Sequence, residues 1–296
     1  SPSFLFSSYL LINQVVQTAY PELHRALDVP ALQLRPFFPG ALVRTPHGFD
    51  LLADPWRRPV AAARGLLRAL RQPGGCAFTP GDAVRLARLR ARVCRATVDE
   101  LFAAPERTAG ELLREAGFSA RITDRFFRPF FWGVVFDDPL AVSSRAFEFY
   151  FRSFAAGDTA LPARGMQAIP EQLAGRLPGN ALALGCRAHS IERSRGHWRV
   201  HTDQGALDAA AVVVATDGRA AGELLGPHYA APPTAFPTRG TTCVYFAADR
   251  APISEPILML NGLPSGRINS IAVPTLLSAE LAPAGQHTIA VNLTGP

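Results

Sequence analysis

The sequence predicts a mixed α/β protein in two interleaved regions, and three observations predict it. Helical spacings dominate the stretch from Pro59 to Phe154. After Ala163 the texture changes to short alternating strands joined by glycine turns, and after Pro232 further strand-like pieces follow. These place roughly 161–228 in one region, with 1–160 and 229–296 building the other. The 296 residues, 48% of them hydrophobic, can bury one large core or two modest ones. A charged share of 18% speaks against disorder.

Taken in order, SPSFLFSSYLLINQVV is apolar but lacks a basic start and a cleavage site. It is shorter than the about 20 apolar residues a spanning helix needs, so the chain reads as soluble and cytoplasmic. Thr18–Leu27 reads as a turn and a short helix with Pro21 in its first turn. ALVR, a turn at Pro46–Gly48 and FDLL form a hairpin pattern. Pro59–Arg71 and Pro80–Leu101 carry helical patterns, separated by Gly74–Gly75. Thr108 and Glu111 form a capping box for a helix to Ala116, which Gly117 stops. Ser143–Phe154 is helical, with Phe147, Phe151 and Phe154 on one face.

RGMQAIPEQLAGRL then reads as a loop entering a helix near Pro170. ALALGCRAHSIERS reads as a strand, Ser194–Gly196 as a turn and GHWRVHT as the returning strand. Val212-Val213-Val214 has the β-branched character of a strand buried on both faces. TTCVYFAA, PILMLNG and HTIAVNLTG are further strands.

The net charge of +6 comes from 30 arginines; the chain contains no lysine. Arg85, Arg88, Arg92 and Arg95 recur at helical spacing, with Leu86, Leu89 and Val93 on another face. An ordinary solvated face explains this, and a phosphate- or membrane-facing patch is the alternative. No nucleic-acid-binding module is recognisable. The four scattered cysteines, Cys76, Cys94, Cys186 and Cys243, read as reduced buried thiols. His197 and His201 lie four apart on a predicted strand, about 13 Å from each other, which excludes a shared metal. No metal site is predicted.

PARGMQAIPEQLA at Pro162–Ala174, followed by VVVAT at Val212–Thr216, is the most informative pairing. In this order and spacing, and with RFFRPFFWGVVFDDP upstream, the chain resembles the flavin-dependent amine oxidase, phytoene desaturase and protoporphyrinogen oxidase superfamily. The resemblance runs from QVVQTAYPE to the last strands. It implies a partial FAD-binding Rossmann-like domain at 161–228 interleaved with a substrate domain of helices and a mixed β-sheet. It also implies an oxidoreductase that oxidises or desaturates an apolar or amine substrate by hydride transfer to FAD.

The resemblance places Arg164, Gly165 and Met166 near the flavin ring. Gly165 would admit close backbone approach, and Met166 would offer a soft surface. Ala188 stands where the family commonly packs a Val on the adenine. Ala215, Thr216 and Asp217 end the predicted buried strand beside a dinucleotide. Phe130, Phe131 and Trp132 would line an apolar substrate pocket, although a buried helical core explains the same aromatics. Trp132-Gly133 departs from the paired glycines frequent in the family. RPFFPGAL at Arg35–Leu42 is a further candidate for the substrate side.

No nucleophile and base pair stands out, as expected if a cofactor carries the chemistry, so no catalytic residue is assigned. The chain has no GxGxxG turn to cradle a pyrophosphate, and the closing flavin segment of the family is also missing. The expectation is therefore a piece of a longer protein that binds FAD weakly or not at all, with exposed strand edges that favour self-association. The competing readings are a non-catalytic remnant or apolar-ligand-binding protein, and a membrane-associating basic helix.

Overall fold

The computed structural model describes residues 15–72, 74–194, 196–228 and 239–294. The apolar N-terminal run up to Gln14 and Arg195 in the expected turn lie outside them. The chain divides into two compact units, Ser1–Leu173 with Thr241–Pro296, and Ala174–Gly240.

The first unit is built on a mixed six-stranded sheet. Its strands are β3 (Gly40–Thr45), β4 (Gly48–Ala53), β9 (Thr242–Ala248), β10 (Leu258–Leu260), β11 (Ile268–Ala272) and β12 (His287–Leu293), in the order β4-β3-β10-β11-β12-β9. Only β3 and β10 pair in parallel. The predicted hairpin is β3–β4, closing at Thr45 and Gly48. A second, antiparallel sheet joins β1 (Val16–Gln17), β5 (Thr159–Leu161) and β2 (Arg35–Pro36), with β5 central.

The helices follow their local signals. Pro59–Arg71 forms as predicted, with Pro59 in its first turn. The next helix spans Pro80–Arg95 rather than reaching Leu101. Thr97 and Glu100 form a second capping box, which starts a separate helix at Val98–Ala103. The box at Thr108 and Glu111 caps Ala109–Glu115, and Gly117 takes a left-handed φ of 79° after it. Ser144–Ala156 is capped by Ser143.

Between them, Ala120–Ile122 runs through a π-turn at Thr123–Phe127 into Arg128–Val135. These helices enclose a core around Leu89, Val93, Leu112, Phe127, Phe131 and Phe147, each almost fully buried. Two of the four arginines on the basic face are engaged by acids. Arg92 pairs with Glu148, which is buried, and Arg85 lies 3.9 Å from the buried Asp82. Arg88 and Arg95 are exposed.

The second unit holds an antiparallel meander, β6 (Ala188–Ser194), β7 (His197–Thr202) and β8 (Gly205–Ala209), in which β6 and β7 fall on the predicted strand and returning strand. Two expectations for this unit are corrected. Ala181–Arg187 is not a strand, and Leu184 is 80% exposed. Val212–Thr216 is not a buried strand either, and Val213 is 89% exposed. β-branched composition favours extended backbone, but a strand also requires a neighbouring ladder; among the described residues none pairs with this segment. Such exposed apolar side chains favour self-association. We expect elution volume to fall with loading concentration on a sizing column; a concentration-independent monomer would contradict this.

His197 and His201 both lie on β7 and meet different acids, Asp208 at 3.6 Å and Glu192 at 3.3 Å. Among the described residues no group of ligands could hold a metal ion. The four cysteines form no disulfide; Cys76 is buried, whereas the other three are only partly so. No described helix is long and apolar enough to cross a membrane.

Candidate functional site

The sheet and helices of the first unit line a half-open apolar cavity of about 280 Å³. The floor is sheet: Gly40 and Ala41 of β3, Leu52 of β4, Leu258 and Leu260 of β10, Asn269 and Ser270 of β11, and Asn292 of β12. Phe126, Pro129, Phe130, Gly133 and Val134 come down from the π-turn and the helix after it. Phe151 and Phe154 enter from the Ser144–Ala156 helix, and Phe37, Phe38 and Trp56 close another wall.

Helical geometry decides which aromatics reach the cavity. Successive helical residues point about 100° apart, so Phe130, Phe131 and Trp132 cannot all face one space. Phe126, Phe130 and Val134 recur at steps of four and do face it. Phe126 and Phe130 stack at 5.4 Å between ring centres, and Phe130 meets Phe154 edge-on at 4.7 Å. Phe131 turns instead into the helical core, 4.3 Å from Phe147 and without exposed surface. Trp132 packs on Phe136 outside the cavity lining. Of the three predicted pocket residues, only Phe130 lines the cavity. Arg35–Leu42 contributes Phe37 through Ala41.

Polar groups gather at two places on the lining. At the first, Asp54 lies between Arg57 at 3.5 Å and Arg90 at 3.4 Å, and it also accepts from the Trp56 amide at 2.9 Å. The Arg90 guanidinium sits 4.5 Å over the Trp56 ring. At the second, the Asn292 amide donates to Ser270 Oγ at 3.2 Å, beside Asn269. Asn269, Ser270, Asn292, Trp56 and Arg90 had carried no signal in the sequence, because their convergence depends on strand pairing and helix packing across distant segments.

The remaining predicted residues lie elsewhere. Gly165 is buried, has a φ of +83°, and closes a turn onto the Pro162 carbonyl at 2.9 Å. A side chain there would start 3.3 Å from Leu281, so local geometry alone calls for glycine. Met166 is half-buried, and Arg164 is exposed and pairs with Glu171 at 3.1 Å. The helix beyond is short, Ala168–Ala174, with Pro170 inside its first turn rather than at its start.

In the other unit, Ala188 opens β6 opposite Thr202 and is half-buried. Ala215 and Thr216 are exposed, and Asp217 caps the Gly218–Leu225 helix, accepting from the Arg219 and Ala220 amides at 3.0 and 3.1 Å. That carboxylate already occupies the amides an anion would use, and it adds negative charge there. This helix start therefore does not fit the diphosphate of FAD, and the given sequence holds no GxGxxG turn.

Comparison with known structures shows the fold. An oxidoreductase from Methanosarcina mazei superposes with a TM-score of 0.64 at 15% identity, over 89% of this chain and 67% of its own. A putative protoporphyrinogen oxidase from Exiguobacterium sp. 255-15 gives 0.62 at 17% identity, over 94% and 63%. A putrescine oxidase bound to putrescine gives 0.56 at 12% identity, over 95% and 64%. The chain thus spans about two thirds of the length of these structures. No curated protein matches it. The family model described as flavin containing amine oxidoreductase matches residues 13–296. The mixed α/β chain belongs to the flavin containing amine oxidoreductase family.

Proposed function

We propose that the aromatic-walled cavity is the substrate chamber of a flavin-dependent oxidoreductase that oxidises or desaturates an apolar or amine small molecule. The observation that carries this reading is the cavity itself: a half-open apolar space with a few convergent polar groups, in a chain of this family. In the proposed reaction the flavin supplies hydride acceptance. This chain's own residues bind and orient the substrate and exclude water: Phe126, Phe130 and Phe154 form the apolar wall, and the sheet carries the polar floor.

The turn at Arg164–Met166 is the proposed flavin-facing element. Ala188, Ala215, Thr216 and Asp217 remain proposed nucleotide contacts of their own unit, Asp217 away from the diphosphate, and 161–228 remains the proposed FAD-binding portion of a longer protein. Reconstitution tests the proposal. The chain with excess FAD, mixed anaerobically with putrescine or with an apolar alkene precursor, should lose flavin absorbance at about 450 nm if the chamber delivers substrate to flavin.

A second reading, an apolar-ligand-binding protein without bound FAD, is favoured by the missing diphosphate cradle. Ligand binding without flavin reduction would select it. Under both readings the purified chain should carry no stoichiometric flavin and should quench added FAD only weakly. A one-to-one yellow complex surviving gel filtration would overturn that prediction.

A further inference from the structure

β11 is irregular at one residue. Ile268 pairs with Leu293 and Ser270 with Asn292, so Asn269 is an extra residue in the ladder, a β-bulge. Successive strand residues ordinarily face opposite sides of a sheet; here both Asn269 and Ser270 line the cavity. The Asn269 side chain is almost wholly buried, at 3% exposure, yet its Nδ2 has no hydrogen-bond partner. Across from it stands Gly133, whose absent Cβ would lie 3.5 Å from that nitrogen. A methyl group there would touch the amide in ordinary van der Waals contact.

A buried unpaired amide costs free energy unless something satisfies it, and bulges re-aim side chains at sites of use. The rest of the lining sharpens the chemistry. Arg90 Nε is a second buried donor without a partner. The carboxylate on the lining, Asp54, is already shared by Arg57 and Arg90, and Ser270 Oγ is met by Asn292. The unmet polar valences identified on the lining are donors. A protonated amine would bring more donors and find no unshared carboxylate among the described lining residues.

We propose that Asn269 is a specificity-determining residue that donates from Nδ2 to an oxygen acceptor of the substrate, so that the chamber takes an apolar molecule bearing a carbonyl or carboxylate oxygen in preference to an amine. This rests on the reading of the cavity as the substrate chamber.

Isothermal calorimetry on the intact chain, below micelle formation, tests it with dodecanoate, 2-dodecanone and dodecylamine. The two oxygen-bearing ligands should bind more tightly than the amine, by on the order of tenfold. Asn269→Asp replaces the donor with an acceptor of the same shape and should reverse the order. Asn269→Leu should weaken both oxygen ligands and bring them to the level of the amine. Circular dichroism and melting temperature establish that each variant is folded, and if the aspartate variant does not fold, the leucine variant decides. Equal binding of all three ligands, tighter binding of the amine, or folded variants that keep the original order would each overturn the inference while leaving the chamber in place. Failure of all three ligands to bind would overturn the chamber reading together with it.

Discussion

Phe127→Ala should destabilise the protein by about 3–5 kcal/mol, the range for removing a large aromatic side chain from a closed core. Phe127 has no exposed surface and sits at the hub of the helical core. Its ring meets Phe118 edge-on at 5.1 Å and Phe147 at 5.7 Å, with Phe131 and Phe151 each at 6.4 Å. These neighbours belong to three separate segments, so no single segment can move in to fill the gap. The same truncation at Phe126, which is half-buried and faces the cavity, should cost markedly less. Urea unfolding of both variants checks the contrast through the midpoint at constant slope. Equal losses would show that the cavity wall and the core are packed alike.

Asp82→Ala should cost about 3 kcal/mol, because one carboxylate joins two helix starts. Asp82 is fully buried and accepts from the Thr79 amide at 2.8 Å and its hydroxyl at 2.7 Å, closing the capping box of Pro80–Arg95. It also accepts from the Ser119 amide at 2.9 Å and hydroxyl at 2.6 Å, and Ser119 caps Ala120–Ile122, the approach to the π-turn.

The loss should depend on pH. Burial by itself raises the Asp82 carboxyl, but the hydrogen bonds from Ser119 and Thr79 together outweigh it and hold the group below the ordinary carboxylate range. A depressed folded value means that the stabilisation is present above the unfolded value, about 4, and disappears as pH falls through the folded one. Melting temperatures of the native chain and Asp82→Asn should therefore differ most near neutrality and converge below about pH 4. A gap that persists undiminished into acid would contradict the role of the charged form.

Local signals carried the helices and hairpins, because a capping box or a glycine turn is complete within a few residues. Thr108 with Glu111 is legible as a helix start for that reason. Thr97 with Glu100 is the same motif, hidden inside a continuing apolar pattern that reads as one long helix. The triple valine misled in the opposite sense: its side chains favour extended backbone, but pairing is a property of neighbours and not of the segment. At the cavity, aromatic content was legible and its facing was not. The π-turn shifts the helical phase, and that shift decides that Phe130 lines the chamber while Phe131 fills the core. Asn269 was the least legible. Its significance needs the register of β11 against β12 and a glycine on a helix far away in sequence.

The π-turn at Thr123–Phe127 also sets which aromatic ring faces which side of the helix after it. The turn absorbs one extra residue locally, so the same residues wound as ordinary α-helix would have everything downstream rotated by about 100°. Pro129 would then stand at the position of Phe130 and Phe130 at that of Phe131, which takes a ring off the cavity wall. The extra residue thus works as an indexing notch that keeps Phe130 on the cavity wall and Phe131 among the close-packed rings behind it.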